Sequence, residues 1–273
     1  MIRFDAYTAT TTHAKYDALV GLLVDAAGAG YGISQGHGFH TFGQRIAIKD
    51  SGGAEIGAVQ WGGRQGDRSM IEVKGEKTPQ VAEALRERYW HQVTRVDACA
   101  DFDAPGAFES LLGPCIEVKQ AHKLKGSKLG DWDDFPEDGR TLYLGAPSSV
   151  TRVRLYEKGK QKEYTHLERE NWVRIEAQVR PLKEAKASYA TVTPAQVWGA
   201  SAWTRALAGL VLQEHVDAHP AGTTYRLSDT QTAIRWMCKQ YGSRLLELHE
   251  ECGDWACVGL QLSEIIKDQK KGR

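Results

Sequence analysis

The chain of 273 residues lacks an excess of charge of either sign, because 35 lysine and arginine residues balance 35 aspartate and glutamate residues. The whole molecule is therefore not a polycation, and any binding of nucleic acid must come from local basic patches. Long apolar runs are absent too: the most apolar windows, near residues 18–29 and 206–212, fall far short of a membrane span. The N-terminus shows no basic region followed by an apolar core, as a signal peptide would. These absences predict a soluble, intracellular protein.

Cysteine pairs and nucleotide-binding motifs are also missing. The five cysteines show no C-x-x-C spacing, which argues against structural zinc and a disulfide framework and favours reduced cytosolic thiols. Gly36 and Gly38 lie in a glycine-rich stretch, but no G-K-[ST] follows, so nothing in the sequence indicates ATP hydrolysis. His37 and His40 form one H-x-x-H in that stretch, without helical context or a nearby carboxylate. We favour a loop or edge-strand role for this pair over a metal site.

Hydrophobic periodicity divides the first two thirds of the chain into helices and strands. We predict helices over residues 12–27, 78–91 and 107–124, with Thr78 as the N-cap of the second. Strands are predicted over residues 44–49, 55–61, 69–74, 93–102, 141–144, 152–158 and 172–180. The order predicts an α+β fold with an antiparallel-rich sheet and helices on one face.

The character of the sequence becomes all-helical after residue 190. Thr193-Pro194 is a helix-start signal, and further helices are predicted over residues 230–241, 243–251 and 258–267. We therefore predict two domains: a sheet domain over residues 1–190 and a helical C-terminal region over residues 191–273.

Three of the predicted strands carry a polar row on one side and an apolar row on the other, because side chains alternate along a strand. The apolar rows would pack on the helices, and the polar rows would stay open. The polar rows are Arg95, Asp97 and Asp101 on the first strand, Arg152, Arg154, Tyr156 and Lys158 on the second, and Arg174, Glu176, Gln178 and Arg180 on the third. This set of side chains can hold a divalent cation and a phosphodiester beside a nucleophile.

Tyr156 is the candidate nucleophile. It shares its row with Arg152, Arg154 and Lys158, and cations this close would lower its pKa and favour the phenolate. A phenolate can attack phosphorus in line and form a covalent phosphotyrosine. The alternative is that Tyr156 is structural, as most strand tyrosines are.

Asp97 and Glu176 are the candidate metal ligands, with Asp101 as a weaker third. Mg²⁺ and Mn²⁺ prefer oxygen ligands, and one or two carboxylates together with water and a substrate phosphate suffice. The bound cation would neutralise charge on the scissile phosphate. The alternative is that Asp97 and Glu176 only form surface ion pairs with neighbouring arginines, which contribute little to stability.

Cationic side chains provide candidates for holding phosphate. Arg154, Lys158 and Arg174 are predicted to clamp the reacting phosphate and stabilise the charge that develops on it. Further contacts to the DNA backbone are predicted for Arg95, Arg152, Arg180, Lys123, Lys125 and Lys128. The alternative for each basic cluster is an ordinary solvated surface.

Four spaced motifs resemble the replication initiation factor (Rep_trans) family. They are Arg95-x-Asp97-x-x-x-Asp101, Thr141 to Gly145 with Ser148-Ser149, Arg154 to Gly159, and Arg174-Ile175-Glu176. The resemblance covers residues 36–181. The family includes rolling-circle initiators of plasmids and filamentous phages and related relaxases, and its fold is similar to that of other rolling-circle nucleases.

This resemblance implies a sequence-directed DNA nickase that starts rolling-circle replication in the cytoplasm of a bacterial host. Tyr156 would join the 5′ phosphate and leave a 3′ hydroxyl, and acidic ligands would hold the metal. Expected partners are origin DNA, melted near the nick, a host helicase and a second copy of the chain. Two alternatives stay open: a metal-dependent nuclease that uses water as nucleophile, and a non-catalytic nucleic-acid-binding protein.

Overall fold

A ten-stranded antiparallel sheet forms the centre of the computed structural model, which describes residues 1–133, 139–222 and 229–271. The strand order is β2-β3-β4-β5-β1-β6-β10-β9-β8-β7, and the described neighbours are antiparallel. The strands are β1 (Arg3–Thr11), β2 (Gly32–His37), β3 (Gln44–Lys49), β4 (Glu55–Trp61), β5 (Ser69–Lys74), β6 (Gln92–Asp103), β7 (Gly126–Leu129), β8 (Thr141–Leu144), β9 (Thr151–Glu157) and β10 (Trp172–Val179).

As predicted, several helices of residues 1–222 pack on one face of this sheet. The α-helices are α1 (Tyr16–Ala27), α2 (Thr78–Arg88), α3 (Ala107–Ala121), α4 (Ala185–Ser188), α5 (Pro194–Val197), α6 (Ala202–Val211), α7 (Asp229–Cys252) and α8 (Trp255–Lys271). α1 packs on β3, β4 and β5, and α3 packs on β9 and β10. The apolar rows form the buried layer beneath the helices; Val96, Val153, Leu155, Val173 and Ile175 are each at most 3% exposed. Burying a side chain of this size stabilises the fold by about 1.5–3 kcal/mol.

Three strands were not predicted. β1 lies in the middle of the sheet, between β5 and β6, and its register with β6 shifts between Phe4 and Ala6. That shift breaks strict alternation along the strand, so periodicity alone does not reveal it. β2 is an edge strand of mostly exposed residues and includes His37, while His40 lies in the loop after it. β7 lies between the predicted helix over residues 107–124 and the predicted strand over residues 141–144, where no strand was predicted, and residues 134–138 lie outside the described residues.

Several predicted helix boundaries differ from the structure. Thr78 is the first residue of α2 rather than its N-cap, and its hydroxyl donates to the carbonyl oxygen of Asp5 at 3.0 Å. α2 ends at Arg88 because the chain turns extended at Tyr89. The Thr193 start is confirmed, since the Thr193 hydroxyl accepts a hydrogen bond from the backbone of Gln196 in a capping box.

The chain divides into two compact units, residues 1–223 and 224–273. The first unit therefore extends past the predicted boundary at residue 190. The reason is apolar burial: Val197, Trp198, Leu207 and Ala208 are fully buried in the core that includes the sheet. In the second unit, α7 is one continuous helix where two were predicted. None of the helices described here is long and apolar enough to cross a membrane.

Candidate active site on the polar face of the sheet

The register of the sheet aligns the polar rows of neighbouring strands. β10 lies between β6 and β9 and pairs with both. Glu176 of β10 stands opposite Arg154 of β9, while Arg174 stands opposite Tyr156 on one side and Asp101 on the other. Side chains directly opposite on one face have Cβ atoms about 5 Å apart. The three rows identified from the sequence therefore form one continuous polar surface.

Asp97 and Glu176 are carboxylates on neighbouring strands, and they are only 1% and 4% exposed. Arg95 Nε donates to both oxygens of Asp97, at 2.9 and 3.1 Å, and Arg154 Nη2 donates to Glu176 Oε2 at 2.9 Å. Arg95 Nη2 also donates to Asp97 Oδ2, and Gln178 Nε2 is a third donor to Asp97, at 3.3 Å. The expected open row is therefore closed over by its own arginines. The carboxylates of these pairs are buried, and either one would be strongly destabilising without its arginine.

The surroundings of Glu176 disfavour the ionised form of its carboxyl group. Burial, followed by the charge of Asp97, raises its pKa to about 7, although the Arg154 guanidinium acts in the opposite direction. Adjacent carboxylates that oppose each other's ionisation attract a cation.

Tyr156 lies in the same surface and is 3% exposed. The guanidinium carbon of Arg154 stands 4.0 Å from the centre of its ring. No described residue hydrogen-bonds to its hydroxyl group. The prediction that neighbouring cations lower its pKa is wrong: burial, and then the charge of Glu176, raise the pKa of Tyr156, and Arg154 and Arg174 only partly oppose this. Desolvation of the phenolate outweighs the attraction of the arginines.

Arg174 is held in a buried ion-pair network. Its Nε and Nη2 donate to Asp101 at 2.6 and 2.8 Å, and its Nη1 donates to Asp5 at 2.6 Å. Arg3 Nη2 and Trp172 Nε1 also donate to Asp101, at 2.9 and 3.0 Å. Arg174 is 1% exposed, so its donors are used within the protein. Arg174 stands opposite Tyr156 in the register of β9 and β10, and its predicted contact with the reacting phosphate stays a prediction.

Asp5 and Arg3 of this network were missed by sequence analysis because β1 was missed. The signal was present in Arg3-Phe4-Asp5, where charged and apolar residues alternate at the start of the strand. Asp101, predicted as a third metal ligand, belongs to this network, opposite Arg174, and not to the pair formed by Asp97 and Glu176.

Lys158 directly follows β9 and is 6% exposed. Its Nζ lies 4.5 Å from the ring centre of Tyr164 and 4.7 Å from that of Trp172. Burial, assisted by the charge of Arg174, lowers the pKa of Lys158 to about 8. The amine therefore sits in an aromatic cage, next to the strand that carries Tyr156.

An arginine-lined pocket of about 280 Å³ opens beside these groups. Tyr143, Glu176 and Gln178 contribute to its wall. Its cationic lining consists of Arg95, Arg152, Arg154 and Arg180. The Nε atoms of Arg152 and Arg154 are buried and have no hydrogen-bond partner among the described residues. Both arginines line the pocket, and guanidinium groups form strong, charge-assisted hydrogen bonds with anionic oxygens.

The predicted lysine contacts lie elsewhere. Lys123 and Lys125 are in the connection between α3 and β7, and Lys128 is on β7 with its Nζ 4.2 Å from the ring centre of Trp132. None of the three lines the arginine pocket. Their contact with DNA stays a prediction.

The side chains at the site fit one divalent cation better than a cluster of several metal ions. Among residues 1–133, 139–222 and 229–271, no group of three or more His, Cys, Asp or Glu side chains is placed to hold a metal ion. Asp97 and Glu176 remain as a pair whose charges oppose each other. One or two carboxylates are the usual protein contribution to a Mg²⁺ site that is completed by water and substrate phosphate.

Comparison with known proteins bears on the same region. Residues 92–248, more than half of the chain, match the replication initiation factor family, Rep_trans. This confirms the resemblance found in the motifs. A rolling circle replication initiator protein from Geobacillus stearothermophilus has a similar structure, with 18% sequence identity, a TM-score of 0.46, and coverage of 73% of this chain and 83% of that chain. Comparison with curated proteins yields no match.

Proposed function

Because the chain belongs to the replication initiation factor (Rep_trans) family, we propose that it initiates rolling-circle replication by nicking DNA through a covalent 5′-phosphotyrosine. One observation carries the proposal: Arg154 connects the three parts that such a site needs. Its guanidinium stacks on Tyr156, pairs with Glu176 and lines the arginine pocket. A nucleophile, a carboxylate pair and a phosphate-binding pocket therefore meet at one side chain.

The arginine pocket binds the scissile phosphodiester. Arg152 and Arg154 line the pocket, and their guanidinium groups donate to the non-bridging oxygens of the phosphodiester. These hydrogen bonds strengthen as negative charge develops on the oxygens in the transition state. Arg95 and Arg180 supply further positive charge at the pocket wall.

The phenol oxygen of Tyr156 attacks phosphorus, and the bond from phosphorus to the 3′ oxygen breaks. The 3′ oxygen leaves as a hydroxyl group, and the 5′ phosphate stays bonded to the tyrosine as a diester. The bond energy is conserved, so a later hydroxyl group can reverse the reaction and join strands. The raised pKa of Tyr156 keeps the phenol protonated in the free protein, and activation therefore depends on substrate and cation binding.

Asp97 and Glu176 would hold Mg²⁺ or Mn²⁺, which supplies charge neutralisation at the phosphate. In this structure, Arg95 pairs with Asp97 and Arg154 pairs with Glu176. Their guanidinium groups are the most accessible part of the two pairs, with 40% and 32% of the side chains exposed, against 2% and 5% for the acids. We infer that the arginines turn from carboxylate to phosphate when substrate binds.

The test is Tyr156→Phe assayed on a supercoiled plasmid that carries the cognate origin. We expect nicking and the denaturation-resistant protein–DNA adduct to disappear, while binding of the origin stays nearly unchanged. Tyr16→Phe is the matched control, because Tyr16 stacks on Trp61 at 4.1 Å on the covered side of the sheet and that stacking survives in Phe. Full cleavage or adduct formation by Tyr156→Phe would exclude the covalent mechanism through this residue.

The burial and raised pKa of Tyr156 favour a second candidate, a hydrolytic nuclease in which water attacks and the tyrosine is structural. This candidate predicts nicking without any trapped adduct in the presence of Mn²⁺. The host helicase, the second copy of the chain, the phage or plasmid replicon and the bacterial cytoplasm stay predictions.

A further inference from the structure

A second, larger groove continues the polar face of the sheet beyond the arginine pocket. It has a volume of about 590 Å³, and Arg95 and Arg180 line both spaces. Its floor comes from β1, β4, β5 and β6. Most of the lining belongs to residues 8–72, which lie outside the segment matched by the family.

The loop after the edge strand β2 forms one wall of this groove through Phe39, His40 and Phe42. Two glutamines fix its conformation. The side-chain oxygen of Gln60 accepts a hydrogen bond from the backbone of Phe39, and Gln65 Nε2 donates to the His40 carbonyl oxygen at 3.0 Å and to the Thr41 hydroxyl at 2.9 Å.

The backbone of this loop is strained. His40 and Thr41 have φ angles of 53° and 70°, in the left-handed region that non-glycine residues rarely adopt. Gly63 packs against the loop so closely that a Cβ there would stand 2.5 Å from the carbonyl oxygen of Thr41. Strained backbone that is held by surrounding contacts is found preferentially at functional sites. Here the strain and the contacts hold Phe39 with 61% of its surface exposed.

The charge of the groove is mainly positive. Arg68 and Lys186 join the two shared arginines, and Glu72 is the one acidic residue in the lining. Arg68 and Lys186 form no ion pair with any residue in the described parts of the chain. Polar side chains on the floor, among them Thr10 and Gln92, offer hydrogen-bonding groups between these cations.

We propose that this groove binds the single-stranded DNA that flanks the nick, with Phe39 stacking on a base and Arg68 and Lys186 contacting phosphates. The inference rests on the proposed function, because the groove runs from the pocket that would hold the scissile phosphate. Positive charge suits a polyanion, and an exposed aromatic ring beside cations is the arrangement by which single strands are bound. The loop that contains His40 therefore serves DNA binding rather than metal binding.

The experiment measures the dissociation constant for fluorescein-labelled oligo-dT by anisotropy, in the absence of divalent cations. Phe39→Ala is expected to weaken binding about 5- to 100-fold, the loss that one base–aromatic stack represents. Phe39→Trp retains a stacking surface and should bind within about twofold of the parent. Because Phe39 is exposed, neither change should alter the melting temperature, which is measured in parallel.

The cations are tested by the salt dependence of the same constant. Arg68→Ala and Lys186→Ala should each lower the slope of log K against log salt by about 0.7. Lys162→Ala removes one exposed positive charge outside the groove and should leave that slope unchanged. Unchanged affinity in Phe39→Ala, or equal slopes in all three lysine and arginine variants, would overturn the proposal.

Photo-cross-linking of an oligonucleotide that contains 5-iodo-deoxyuridine locates the strand directly. We expect cross-linked peptides that include residues 38–43. Cross-links confined to the second unit, or equal competition by duplex DNA at the same nucleotide concentration, would refute the assignment. None of these measurements needs nicking. They therefore test whether the groove binds single-stranded DNA independently of whether Tyr156 is the nucleophile.

Discussion

Replacing Lys158 with methionine should stabilise the protein while it abolishes nicking. The pKa of Lys158 is lowered from 10.5 to about 8 by burial, so holding the charged amine at this position is unfavourable. About 2.5 pKa units correspond to about 3 kcal/mol. Cation–π contacts with Tyr164 and Trp172 offset part of this, each by about 0.5–2 kcal/mol. We therefore expect Lys158→Met to be up to about 2 kcal/mol more stable than the parent near neutral pH.

The pH dependence of this difference gives the sharper test. Below about pH 8 the lysine is charged in both folded and unfolded protein, and the full penalty applies. Between about 8 and 10.5 the unfolded chain binds more protons than the folded one, so the parent gains stability relative to Lys158→Met as pH rises. The difference between the two proteins is the readout, because Cys99 and Cys115, whose pKa values burial raises to about 12, lower the stability of both in this range.

The assay is urea unfolding of both proteins across this pH range, with Lys162→Met as the matched control at an exposed position. The control should match the parent in stability and in nicking. A Lys158→Met protein that is equally or less stable at neutral pH, or a difference that does not shrink as pH rises, would refute the view that Lys158 is held at a cost to stability. A stable variant that still nicks would show that the amine is not needed for catalysis.

Three further predictions follow from buried groups. Arg174→Met leaves Asp101 and Asp5 without their central cation and should cost about 3–5 kcal/mol in urea unfolding, whereas charge loss at an exposed arginine should cost less than 1 kcal/mol. Burial lowers the pKa of His91, so the free energy of unfolding should fall as pH drops below about 6.5; His91→Gln should flatten this loss, and an identical pH profile would contradict the assignment. Asp97→Asn should weaken Mn²⁺ binding in calorimetry at least about tenfold, with Glu109→Gln, on the exposed side of α3, as a control that leaves it unchanged.

Much of the fold followed from local patterns in the sequence. The alternation in β6, β9 and β10 predicted which residues share a face, because side chains of a strand alternate whatever its neighbours are. It failed for β1, where a register shift between Phe4 and Ala6 breaks the pattern, and for β2, where Gly32 to His37 carry no apolar row. A strand without an apolar row owes its existence to pairing with a neighbour, which a single segment does not reveal.

The candidate site divides in the same way. The residue types that could bind phosphate and metal were recognisable in order along the chain, and so was the family to which they point. Roles within the site were not: Arg174 proved to be the partner of both Asp101 and Asp5, and Asp5 comes from a strand far away in sequence. Which acid an arginine pairs with depends on the distances between side chains of different strands.

The sequence by itself determined the chemistry available on one face of the sheet, since composition and two-residue periodicity are local properties. Only the tertiary structure decided the pKa values of these side chains. The packing of the folded chain around Tyr156, Glu176 and Lys158 buries these side chains. Burial raises the pKa of the two acids, Tyr156 and Glu176, and lowers the pKa of Lys158. Desolvation depends on every atom that surrounds a group, and those atoms come from strands and loops that meet only in the folded chain.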